Sequence, residues 1–349
     1  MRRIPAVRWG AIWLVAAALI AGTVVMAEWF VRGRGYEPSV KDDDWAWAWE
    51  RAHADGSPRT VALLGASRIQ LGFSPEAFHA MLPGWQSVQL AIDGTQPMGT
   101  LRDLAADPAF TGIAIVESTE DGFIAANWGR QDAQLAAYHR RWHAPGSMIE
   151  RWLATAVQRR LALVSAAGTR ALASLWLGHG WPPPPYVVTH ADRTQFADFT
   201  RTDVDALRRR QLVRIGVPVP ADEAGAQAWL SEALALEPAV DAIRARGGNV
   251  VYLRMPTCDE RWAADEIAAP KAQFWDRLAA RTHAVTIHFR DEPALRDFAC
   301  PDTSHIASKD GPRFTRAVLE ILVARGVIVD RSRADPRADA GQLRSAGKR

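Results

Sequence analysis

Three short apolar runs, VALLG (61–65), VQLAI (88–92) and IAIVE (113–117), are separated by PEAFHAML and MGTLRDLAAD, whose apolar residues recur at three- and four-residue spacing. Short apolar runs bounded by turn residues read as buried strands, and the spacers as amphipathic helices. Strand, helix, strand, helix, strand is the order of a parallel sheet wound by right-handed crossovers, because parallel neighbours need a long connection between them. The pattern stops between about Asn127 and Pro238. It resumes at Asn249–Leu253 and Thr286–Phe289, with a helix through Lys271–Arg281 between them and a closing helix over Pro312–Arg325.

The expected fold is therefore α/β: a flavodoxin-like three-layer sandwich with a parallel five-stranded sheet over residues 60–328 and a helical insertion of about 127–240 between strands 3 and 4. Within the insertion, SMIERWLATAVQRRLALVSAAGTRALASLWLG has helical periodicity throughout and predicts one long helix. Trp181-Pro182-Pro183-Pro184-Pro185-Tyr186 ends it, since proline lacks the backbone donor; a stiff loop is favoured over a polyproline ligand. Further helical patches follow at Thr202–Gln211 and Ala221–Arg246. Residues 32–59 read as a tryptophan-bearing linker or short helix started by Asp42-Asp43-Asp44, and 329–349 as a disordered tail.

The stretch Trp9–Ala27, WGAIWLVAAALIAGTVVMA, has no charge and follows Arg2, Arg3 and Arg8. About 20 apolar residues cross a bilayer as a helix, and a basic flank favours a cytoplasmic start. Residues 1–8 then form a cytoplasmic stub and 9–31 a single-pass anchor in the cytoplasmic membrane, with the body on the periplasmic or extracytoplasmic side. A signal peptide cleaved after Val25-Met26-Ala27 is the competing reading. The net charge of +3 in 349 residues lies largely at the chain ends, with no basic stripe interleaved with aromatics, so nucleic acid is not an expected partner.

Chemistry is concentrated at two places. Gly65-Ala66-Ser67-Arg68 ends the first strand, and open α/β sheets carry their reacting groups at the carboxyl edge. Pro301-Asp302-Thr303-Ser304-His305 follows the last strand. A serine hydroxyl needs a base, histidine titrates near neutrality, and a carboxylate must hold the imidazole in one tautomer. Ser67, His305 and Asp302 supply these groups, provided that two loops far apart in sequence meet. The bland alternative is an N-cap serine and a structural Asp–His pair.

With these flanks, LLGASRIQLGFSPEAF and PDTSHIASKDGPRFT, the chain resembles the SGNH (GDSL-like) hydrolase superfamily from about Arg59 to Arg325, and within it the membrane-anchored, exported proteins of polysaccharide O-acylation. The resemblance makes Ser67 the nucleophile and Asp302 and His305 its partners. It matches Ile92-Asp93-Gly94 to the block whose glycine amide helps form an oxyanion hole, which gives that role to Gly94. It implies small esterases and acetyltransferases that need no metal or organic cofactor. The partners it implies are a polysaccharide or acyl-donor substrate and a membrane acyl-transfer protein. One block departs: the usual Gly-x-Asn-Asp after strand 3 is Glu117-Ser118-Thr119-Glu120-Asp121 here. Losing such an asparagine donor costs about 3 kcal/mol where it has been removed. Arg254, ending VVYLRMP, is the candidate substitute for an oxyanion or an acidic sugar, a surface salt bridge being its ordinary alternative. Arg68 is treated alike. A non-catalytic glycan-binding or assembly subunit is the competing functional class.

Cys258 and Cys300, the only two cysteines, are compatible with a disulfide or with two small hydrophobes. His139 and His143 are four apart but lack a third ligand nearby, so no metal is expected; His283 and His288 read as edge residues. Among fifteen tryptophans, Trp45, Trp47, Trp49, Trp128 and Trp181 sit in polar surroundings where a ring face can stack on a sugar. Trp29 reads as an interfacial residue.

Overall fold

A computed structural model of the chain describes residues 9–141 and 145–329; the expected stub, His143 and the tail from residue 330 on lie outside the described residues. In chain order the first half forms α1 (Trp9–Arg32), α2 (Asp44–Ala52), β1 (Thr60–Leu64), α3 (Ser67–Gly72), α4 (Pro75–Met81), β2 (Gln86–Gln89), α5 (Met98–Ala106), β3 (Ile113–Glu117), α6 (Gly129–Arg141), α7 (Pro145–Gln158) and α8 (Ala166–Trp176). The second half forms β4 (Val187–Thr189), β5 (Gln195–Ala197), α9 (Val204–Ile215), α10 (Glu223–Leu234), α11 (Glu237–Ala245), β6 (Asn249–Arg254), α12 (Asp259–Ala268), α13 (Trp275–Ala279), β7 (Val285–His288), α14 (Pro293–Arg296) and α15 (Gly311–Ala324).

Five strands make one parallel sheet in the order β2-β1-β3-β6-β7, which is the flavodoxin-like order. Every residue of β1 and β3 is buried, as strands covered on both faces require. Their side chains alternate strictly between two cores. Ala62, Leu64, Ala114, Val116, Val250 and Tyr252 face Trp47 of α2, Leu101 of α5, Trp229 of α10 and Ile243 of α11. Val61, Leu63, Ile113, Ile115, Val251 and Leu253 face Ile69 of α3, Phe78 of α4 and Phe314 and Leu322 of α15. The three layers follow from the period of two in the strands.

Between β3 and β6 lies the helical insertion. Its expected long helix is two helices, because a 3₁₀ turn at Ala162–Val164 interrupts it. Ser165 caps α8 by accepting the Gly168 N–H, and the Glu28 carboxylate of α1 accepts the N–H groups of Ala162 and Leu163. A long-range acceptor thus satisfies amides that helix continuation would otherwise have used. The insertion also holds a small antiparallel pair, β4 with β5, where no strands are expected. Arg193, in their connection, has φ +62° and donates to Gln89 O and Ala91 O on the outer edge of the sheet and to Asp42. With Trp47 Nε1 donating to Leu90 O, these bonds end β2 earlier than the expected 88–92.

α1 has 24 residues, about 36 Å at roughly 1.5 Å per residue, and is long and apolar enough to cross a bilayer. Its flanks are exposed until Glu28 and Val31, which pack on the body.

Candidate active site

The first strand delivers Ser67 through a turn that only glycine fits well. Gly65 has φ +152°, and a Cβ there would lie 2.9 Å from Glu117 Oε2 and 2.9 Å from Ile69 Cγ2. The chain then enters α3 directly, with Ser67 as its first residue. The Ser67 N–H therefore belongs to the first turn, where amides have no intrahelical acceptor.

The second loop is shaped by Thr303, a buried non-glycine residue at φ +71°. That turn folds Asp302 back so that its Oδ1 accepts the N–H groups of Ser304 (3.0 Å) and His305 (2.8 Å). Its Oδ2 lies 2.7 Å from His305 Nδ1, and His305 Nε2 lies 2.8 Å from Ser67 Oγ. The two loops, 238 residues apart, do meet. Burial pushes the Asp302 carboxyl up, but the hydrogen bonds from the His305 ring and from the two amides outweigh it and hold the group below its ordinary range. Two further ties hold this loop. Cys258 and Cys300 form a disulfide, with Cα atoms 5.7 Å apart, and the Cys258 N–H donates to Thr303 O at 2.9 Å. Of the two readings open for the cysteines, the bonded one is found.

Ser67 and His305 line a cleft of about 320 Å³ at the carboxyl edge between β1 and β3, where the strand order reverses, with Asp302 buried behind the histidine. Gly94 lines it. The turn Ile92–Thr95 closes with Thr95 N–H donating to Ile92 O and requires the positive φ of +67° at Gly94. Arg68 lines it too, donating from Nε to Ser304 O at 3.2 Å and lying 3.4 Å from Glu117 Oε1, so it braces the second loop against β3.

Arg254 is not in the cleft, and that expectation is corrected. Its side chain is fully buried, with Nη2 donating to Asp265 at 2.6 Å, Nη1 donating to Met255 O, and Nε 3.5 Å from Glu120. As the last residue of β6, it points among α12 and the turn after β3 instead of outward. It is a buried ion pair, neither a free oxyanion donor nor a surface bridge. It also draws Glu120, which stands in the departing block, away from the cleft lining. The guanidinium that lines the cleft from this side is Arg261 of α12, donating from Nε to Asp265 Oδ1 at 2.8 Å.

Sequence reasoning also missed Glu117, Gln211 and Arg214 as lining residues. Glu117 was findable, as the polar end of an otherwise apolar strand. Gln211 and Arg214 lie one turn apart on α9, which Arg208 ties to α12 through Asp259 and Glu260. No local signal in an insertion helix announces that it forms the wall of a site.

The tryptophans proposed as sugar platforms do not line this cleft. Trp47 is core, Trp128 donates its indole N–H to Gly122 O, and Trp181 packs edge-on against Phe30 and Tyr36. His288 ends the edge strand β7, yet its side chain is buried; burial first, then Arg254, Lys271 and Arg290, hold its pKa down to about 2. His283 is exposed, facing Asp241 and Glu237.

No family model matches the sequence, and no curated protein matches it. Among solved structures the chain is similar to TesA, at 12% identity and a TM-score of 0.32, over 75% of this chain and 97% of that one. It is also similar to the psychrotrophic esterase EstA from Pseudoalteromonas sp., inhibited by monoethylphosphonate, at 11% identity and 0.31, over 76% and 97%. Likeness at such identities and TM-scores is too slight to bear on this chain's reaction.

Proposed function

We propose that this protein is an SGNH-type serine esterase or O-acyltransferase, tethered to the cytoplasmic membrane by α1 with its body outside, that acts on short acyl esters of a hydroxyl-rich envelope or secreted polysaccharide. The observation that carries the reading is the unbroken relay of Ser67 Oγ, His305 and Asp302, at 2.8 and 2.7 Å.

With the Nδ1 proton on the Asp302 side, His305 Nε2 accepts the Ser67 proton as Oγ attacks the acyl carbon. The carbonyl π pair moves to oxygen, and the first-turn Ser67 amide and the turn at Gly94 border the place where that oxyanion forms. Collapse expels the alcohol, which takes the proton from His305 Nε2. Water, or a sugar hydroxyl, then gives its proton to His305 and attacks the acyl-serine, restoring Ser67. Asp302 stays ionised and stabilises the imidazolium.

The lining favours a small acyl group. The cleft residues are small or polar, including Thr95, Gln96, Ser118 and Thr119, and among the described residues no large apolar side chain lines it to hold a long chain. An acetyl group with a polyhydroxy alcohol fits that chemistry. Fluorophosphonate labelling tests the reading: the wild type should be labelled and Ser67→Ala should not. A wild type as inert as Ser67→Ala would favour the non-catalytic glycan-binding subunit, which the missing asparagine after β3 supports.

A further inference from the structure

α7 carries an apolar stripe that the fold leaves uncovered. Ile149, Trp152, Leu153 and Val157 recur at i, i+3, i+4 and i+8, and are 62, 59, 51 and 42% exposed. The opposite face is docked: Arg151 reaches Asp43 at 3.4 Å and donates to Lys41 O. At the end of α8, its last residue Trp176 and the capping Leu177 are 86 and 58% exposed. Such a face would ordinarily be covered.

Its place in the fold says by what. The turn joining α7 to α8 is pinned to the last turns of α1 by Glu28, through the amides of Ala162 and Leu163, and Arg32 donates to Arg160 O at 2.6 Å. The loop after α8 returns to the same place, where Trp181 meets Phe30 at 5.4 Å. Glu28 is the first charge after the apolar stretch of α1, so the helix pair is held at the level where a span would leave the hydrocarbon. The charges agree: apart from the docked Arg151, the segment from Pro145 to Tyr186 carries Arg159, Arg160 and Arg170 against the single acid Glu150. Apolar stripe, tryptophans and flanking arginines are the marks of a helix lying in a bilayer interface.

We infer that α7 and the Trp176–Leu177 tip rest in the interfacial layer of an anionic bilayer beside the exit of α1, a second membrane contact that fixes the body's orientation and not merely its distance. The inference rests on α1 being retained as a span. Because both native cysteines are disulfide-bonded, Leu153→Cys, Trp176→Cys and, within α1, Val15→Cys can each be labelled with an environment-sensitive fluorophore in the full-length protein. The proteins are reconstituted into phosphatidylcholine–phosphatidylglycerol vesicles, with Val213→Cys on α9 as the aqueous reference. The expected result is that labels at Leu153 and Trp176 lose most of their emission to a nitroxide lipid near the headgroup and little to iodide, the reverse of Val213. Iodide quenching at both, with Val15 still lipid-buried, overturns the inference alone. Shielding from both quenchers overturns it in favour of a protein partner. A water-exposed Val15 overturns the span and the inference together.

Discussion

Asp302 accepts three hydrogen bonds from two consecutive residues, and its lowered pKa records how completely the loop has been built around its charged form. A neutral amide at that place can neither stabilise an imidazolium nor enforce the Nδ1–H tautomer. Asp302→Asn should therefore lower kcat on a chromogenic acetate ester by about 10³–10⁴, with KM little changed. Steady-state kinetics beside circular dichroism would separate this from misfolding. Gly65 shows what the nucleophile turn demands of its neighbour, since β3 delivers Glu117 into the volume a side chain would need. Arg68 and Glu117 then act by position: one ties the His305 loop to the sheet through Ser304 O, and the other supplies that tie with a counter-charge.

Helix α2 illustrates an element whose sequence looks solvated and whose place is internal. Asp43 caps it by accepting the Ala46 N–H, and Trp47 drops into the core. The same geometry half-buries Glu50. Burial raises its pKa, Arg193 lowers it, Asp192 raises it again and the Gln89 amide lowers it, leaving it at about 7 instead of 4.5. Between those values the folded state binds a proton that the unfolded state has released, so stability falls as pH rises from about 4.5 to 7. At about 1.4 kcal/mol per pH unit, the cost at neutral pH is at most about 3 kcal/mol. Glu50→Gln should raise the urea midpoint at pH 8 and leave it nearly unchanged at pH 4; an equal gain at both would exclude Glu50 ionisation as the cause. The splitting of the expected long helix into α7 and α8 belongs to this scale too. Its periodicity is helical throughout, and the acceptor that Glu28 brings from α1 breaks it together with the Ser165 cap.

Across the whole molecule, the relay depends on two loops converging over the switch point of the sheet, and the Cys258–Cys300 bond joins the loop after β6 to the one bearing Asp302 and His305. With the two cysteines 42 positions apart in sequence, chain-entropy reasoning puts the stabilisation at roughly 2–4 kcal/mol. Reduction should lower the urea midpoint accordingly and cut esterase turnover, whereas reduction that changed stability alone would show that the Thr303 turn holds the base without the disulfide. The insertion contributes one wall of the cleft through Gln211 and Arg214 and a docked pair of helices beside the last turns of α1, so it links the site to the N-terminal helix.

The apolar runs at 61–65, 113–117 and 249–253 determined the sheet and its parallel order, and the motifs around Ser67 and His305 singled out three side chains that the fold brings within hydrogen-bond reach. They could do so because strand burial and turn chemistry are local properties. Arg254 ends an apolar run and Arg261 follows an acidic pair, yet nothing in either context says that the first is sealed in an ion pair with Asp265 and Glu120 while the second borders the cleft. Trp47, in a polar stretch, is core, while Trp176, flanked by two leucines, is exposed. Which face a long side chain finally presents depends on register, helix docking and the partner charges that packing brings near, and those are settled only when distant segments close on one another.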